Sequence, residues 1–131
     1  MDGSLSAPGA IAVNSGSGAL TVNGTMATGT EVILLGGTAG ITVGATAAIP
    51  AFFVYFQPIA GGVTMAAGSS VGRTGASIFC RGADDVPESA GAKLIAGTVS
   101  AAPGYAGSIS LPRAANAIAS VGAMTLAGAG N

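Results

Sequence analysis

The stretch ITVGATAAIPAFFVYFQPIAGG, residues 41–62, carries no charged side chain, and its reading decides the fold. It lies inside a longer uncharged run, Val32 to Gly72, bounded by Glu31 and Arg73. A helix through a bilayer needs ~20 consecutive apolar residues. Here Gly44, Pro50, Gln57, Pro58, Gly61 and Gly62 interrupt the run, and the most apolar piece between the two prolines is AFFVYFQ, residues 51–57. That is the length of a strand, and Phe, Val and Tyr suit a pleated surface. A proline at either end removes a backbone donor where pairing should stop. The segment therefore reads as a buried strand and not as a membrane span. Alternation puts Phe52, Val54 and Phe56 on one face and Phe53 and Tyr55 on the other. Both faces are apolar, which predicts protein on each side, one of those layers being another subunit.

Outward from this strand the chain keeps a β texture. ALTV (19–22) and TMAT (25–28) flank Asn23-Gly24, a strong signal for a two-residue hairpin. EVILLGG (31–37), GITVGAT (40–46), GGVTMAA (61–67), GASIFC (75–80), AKLIAGTVS (92–100), YAGSISL (105–111) and AMTLAGA (123–129) read as further strands. Short strands at this spacing, with turn residues between, predict an all-β, antiparallel β-sandwich or barrel of jelly-roll type. No period of 20–50 residues stands out, which disfavours a solenoid. One short helix is expected in LPRAANAIASVG (111–122), with Pro112 in its first turn and Gly122 at its end. Residues 1–18 hold few large side chains and the pairs Pro8-Gly9, Ser15-Gly16 and Ser17-Gly18. They read as an extended N-terminal arm that orders against a partner, leaving 19–131 as a single β domain. Leu5, Pro8, Ile11 and Val13 of the arm, with Phe53 and Tyr55 of the apolar strand, are the candidate interface residues.

Composition narrows the function. Val, Ile, Leu and Phe total 30 of 131 residues, and net charge is only -1. That is just above the ~20% of these residues below which disorder is the default. Twenty-three glycines and six prolines argue against a helical bundle. Charged residues make up 7% of the chain, against about 25% in ordinary soluble domains. The surface must then be built from Ser, Thr, Ala, Gly and Asn, with little charge repulsion to oppose association. Arg73, Arg81, Lys93 and Arg113 form no basic stripe, so no nucleic-acid partner is expected. MDGSLSAPGAIAV has no basic segment before an apolar one, so no secretory signal is expected. Asn23-Gly24-Thr25 matches a glycosylation acceptor, but without that signal its use is not expected.

Candidate chemistry is sparse. Gly68-Ser69-Ser70-Val71-Gly72 fits the G-x-S-x-G nucleophile pattern. That chemistry needs an imidazole to take the serine proton, and the chain has no histidine. The pattern reads as a turn between strands. Asp84, Asp85 and Glu88 crowd one loop without the spacing of a calcium site. Gly36-Gly37-Thr38-Ala39-Gly40 lacks the Lys-Ser/Thr that completes a phosphate cradle. Cys80, the single cysteine, reads as a small buried hydrophobe. Threonines recur at 21, 25, 28, 30, 38, 42 and 46, and solvent-facing strand positions account for them. No catalytic residue, metal or cofactor is expected. A surface that binds a glycan would need an exposed aromatic beside polar groups, for which Tyr105 with Asn116 is the available pair.

In general character the chain resembles the small all-β decoration, or cement, proteins of tailed bacteriophage capsids. The residues that carry the likeness are the small-residue segment Met1 to Gly18 and Gly/Ala/Thr-rich strands such as GITVGAT and AMTLAGA. The resemblance implies a non-enzymatic virion protein, made in the host cytoplasm and placed on the capsid surface. It implies a homodimer or homotrimer whose arm lies over the major capsid protein, with no nucleic-acid or membrane partner. A fibre or adhesin module that binds a glycan or cell surface is the alternative.

Overall fold

The computed structural model describes residues 1–81, 86–87, 91–102, 109–110 and 116–124. The described residues form strands joined by short corners, and every strand ladder among them is parallel. Three strands make one coil. The first coil is β1 (Ser4–Ala7), β2 (Ile11–Asn14) and β3 (Leu20–Val22). The second is β4 (Thr25–Thr28), β5 (Glu31–Gly36) and β6 (Ile41–Val43), and the third β7 (Ala48–Ile49), β8 (Phe53–Pro58) and β9 (Val63–Met65). β10 (Ser70–Gly72), β11 (Ser77–Arg81) and β12 (Val86–Pro87) follow, then β13 (Lys93–Ala102) with β14 (Ile109–Ser110), then β15 (Ala117–Met124).

Each strand pairs with its counterpart one coil away. Ile11 is in register with Val32, Val32 with Val54, Val54 with Ile78, Ile78 with Val99 and Val99 with Val121, steps of 21 to 24 residues. Leu20, Ile41 and Val63 stack likewise on another side. The chain is a β-solenoid. A first sheet runs β1-β4-β7-β10 and a second runs β2-β5-β8-β11. The long β13 belongs to both and joins them into one ten-stranded sheet, with β15 paired to it. The third sheet is β3-β6-β9, and β12 pairs with β14.

The core is the inside of this coil. Strand alternation sends one set of side chains inward, where stacking repeats the same type at each level. Met26, Ile49, Val71 and Leu94 line the first sheet; Val32, Val54 and Ile78, beside Leu34, Phe56 and Cys80, line the second; Val22, Val43 and Met65 line the third, all buried. A narrow coil has room for aliphatic groups of this size, so a composition poor in large side chains still closes a core. Corners need small residues because successive coils lie one strand spacing apart, ~4.8 Å. At Gly72, with φ +83°, an added Cβ would sit 2.2 Å from the Ile95 carbonyl oxygen of the next coil. Only glycine fits there.

Several expectations are overturned. The fold is all-β, but the strands are parallel, not an antiparallel sandwich or barrel, and the solenoid period is present. Asn23-Gly24 makes no hairpin: β3 and β4 lie in different sheets, and the segment is a corner. Residues 117–122, expected in a helix, lie in β15, because β13 offers them a ladder that a lone helix would not have; residues 111–115 lie outside the described ones. Residues 1–18, expected as an arm, supply β1 and β2, paired with β4 and β5. Ser70–Gly72, expected as a turn, is the strand β10. The apolar strand at 53–58 has solenoid core on one side only.

Candidate functional site

The outer face of the second sheet is where the surface departs most from small polar groups. Strand register lays its side chains out as a lattice. Glu31, Phe53, Ser77 and Thr98 form one column; Ala12, Ile33, Tyr55, Phe79 and Ser100 the next. Asn14, Leu35 and Gln57 form the third, with Arg81, one residue past the Cys80–Phe56 pair, at the following level. Inward neighbours in these strands are buried, apart from half-buried Val13 in β2, and these outward side chains are half-buried or exposed. Phe53 is 43% exposed. Tyr55 and Phe79 stack in parallel, with centroids 4.8 Å apart and planes 9° apart, as in-register neighbours one strand spacing apart must.

The corner leading into this face is pinned. The Phe52 and Phe53 amides both donate to the Thr30 carbonyl, at 3.1 Å each. Phe52 turns outward, and the Arg73 guanidinium lies 4.1 Å above its ring, a cation–π contact. The result is a contiguous apolar patch of Ile33, Leu35, Phe52, Phe53, Tyr55 and Phe79. A patch of this kind, partly exposed on a sheet that needs no further layer for its own core, is a candidate interaction surface.

The predicted interface residues separate into two groups. Phe53 and Tyr55 lie on this face. Leu5 is 40% exposed on β1 in the first sheet, and Pro8 is exposed at the bend after it. Ile11 is buried in the core, and Val13 packs against the core from β2. The six are therefore not one surface. Sequence reasoning missed Ile33, Leu35 and Phe79, which only the 22- and 24-residue registers bring beside Tyr55.

The other candidate groups fall elsewhere. Thr21, Thr42 and Thr64 stack in register as an outward row on the third sheet, while Thr28 is buried. Cys80 is buried, and burial pushes its thiol up to about 12, so it holds no thiolate at neutral pH. Ser69 is buried and donates to the Ala66 carbonyl at 2.7 Å. Asn116 accepts from the Leu94 amide through Oδ1 at 2.8 Å and is engaged by backbone; Tyr105, Asp84, Asp85 and Glu88 lie outside the described residues. Among the described residues no group of three or more His, Cys, Asp or Glu side chains is placed to hold a metal. No described helix is long and apolar enough to cross a membrane. No protein-family model matches the chain, and no curated protein or solved structure matches it.

Proposed function

We propose that the chain is a non-enzymatic structural protein that works by association through the outer face of its second sheet. The observation that carries this reading is the patch Ile33, Leu35, Phe53, Tyr55 and Phe79, set on a rigid, regularly spaced sheet in a chain with 7% charged residues. A solenoid fixes such side chains at lattice positions without loop entropy to lose on docking, which favours binding. The setting we propose is a virion shell, where the chain would act as a decoration subunit on the outside of a phage capsid, bound to the major capsid protein and to itself. The clamp is then a preformed sheet face, since the first eighteen residues are spent in the solenoid.

Immunogold labelling of particles from the native source, with antibody to the folded chain, tests the setting. Labelled icosahedral shells support it. Label confined to tails, fibres or cell surfaces, or absent from all particles, overturns it.

A further inference from the structure

The outer face of the second sheet carries charge in a pattern that names its occupant. Around Tyr55 the lattice is three columns by three coils: Glu31, Ile33 and Leu35; Phe53, Tyr55 and Gln57; Ser77, Phe79 and Arg81. Its two charges, one acidic and one basic, stand at diagonally opposite corners with Tyr55 at the midpoint. Among the described residues neither Glu31 nor Arg81 has an ion-pair partner.

We propose that this face binds the same face of a second copy, about a two-fold axis that passes over Tyr55 at right angles to the Glu31–Arg81 diagonal. The inference rests on the association proposed above and adds the partner and its orientation. A two-fold in the interface plane reflects the lattice across that axis. Glu31 of each protomer then meets Arg81 of its partner, twice. Phe53 meets Phe79, Tyr55 meets Tyr55, Ile33 meets Gln57, and Leu35 falls between Ile33 and Ala12. The central rings meet rings and each charge meets its opposite, with residue i on j and j on i as an isologous contact requires. Other simple axes do not do this. An axis along the strands puts Glu31 over Ser77, and one along the solenoid puts it over Leu35, a buried carboxylate without a partner.

The spacings fix the crossing. Outward residues recur every ~6.8 Å along a strand and coils every ~4.8 Å, so the strands of the two copies cross at roughly 70°. That is close to the orthogonal class of sheet packing. Two strips of ~17 Å strand width crossing at this angle overlap over about 300 Å² per copy, less than half the usual interface. The dimer should therefore be a weak, transient one. The chain's net charge of -1 leaves little repulsion to oppose it.

Sedimentation velocity of the full chain over a concentration series reads the association directly. Glu31 and Arg81 are surface residues, so charge reversal leaves the core intact, and circular dichroism verifies the fold of each variant. E31R sets Arg against Arg and R81E sets Glu against Glu; each should weaken the dimer about tenfold or more. The exchange E31R/R81E restores opposite charges in the same places and should return association to within about threefold of the parent. Failure of the exchange to restore association, or single reversals without effect, overturns the crossed arrangement. A parent chain that stays monomeric up to about 1 mM overturns the self-pairing altogether. A monomer that still labels shells would leave the virion setting standing, whereas a dimer absent from all particles would remove the setting and keep the pairing.

Discussion

Two glycines three residues apart separate the cost of backbone conformation from the cost of crowding between coils. Gly72 and Gly75 have similar positive φ, +83° and +79°. A Cβ at Gly75 meets nothing within 4 Å, whereas one at Gly72 would lie 2.2 Å from the Ile95 carbonyl oxygen, its register partner in the next coil. Alanine at either site takes on left-handed strain of ~1–2 kcal/mol, offset in part by a lower unfolded-state entropy. Gly75→Ala should therefore cost about 1 kcal/mol. Gly72→Ala must also push β10 away from β13 by about 1 Å to reach ordinary contact, an overpacking penalty of ~1–3 kcal/mol. Its total should be about 3 kcal/mol. With a urea slope of ~2 kcal/mol per M for a chain of this size, the two midpoints should differ by about 1 M at equal slope. Equal midpoints would refute the stacking of coils at that corner, because the local strain is shared and only the inter-coil contact differs.

Other consequences follow from the same geometry. Phe56 is fully buried in the second sheet's inward column, so Phe56→Ala should cost ~3–5 kcal/mol by denaturant titration. Thr28 is buried; its hydroxyl donates to the Gly9 carbonyl and accepts from the Thr30 amide at 3.2 Å. Thr28→Val keeps the shape and leaves that amide unpaired, for about 1–2 kcal/mol on the same titration. Cys80 should react with a thiol reagent only after unfolding. Its thiol is held protonated up to about 12 in the folded chain but ionises near ~8.5 when unfolded. Unfolding thus releases a proton between those values, so stability is full below ~8.5 and falls above it, by at most ~1.4 kcal/mol per pH unit. Cys80→Ala should remove that part of the alkaline decline and leave the rest.

Strands were legible in the sequence because alternation and β-branched residues are local signals. The element at 53–58 lies inside the expected segment apart from its final proline, and Val54 and Phe56 face in while Phe53 and Tyr55 face out. What the sequence reading lacked was the partner of each strand. The near-repeats LTV (20–22), ITV (41–43) and VTM (63–65) carry the period. It drifts between 21 and 24 residues as corners gain or lose up to three, and an exact period does not show it. Asn23-Gly24 misled for a related reason: a corner between coils and a hairpin both need a sharp turn, and only the third dimension separates them. Residues 1–18 looked like an arm because their side chains are small. In a solenoid a small-residue segment is ordered by backbone ladders to the next coil, β1 to β4 and β2 to β5. Alternation alone puts Tyr55 on an apolar face of its strand. Ile33 and Phe79, its neighbours on the patch, come from other coils and become visible only with the register.

Nuclear Overhauser contacts in uniformly labelled protein test the parallel coil most directly. The account predicts contacts of Tyr55 with both Ile33 and Phe79, in the backbone pattern of parallel strands, and a continuous chain of them from Thr21 through Thr42 to Thr64. Close Hα–Hα pairs typical of antiparallel ladders, such as Leu20–Val22 against Thr25–Thr28 across Asn23-Gly24, would contradict it.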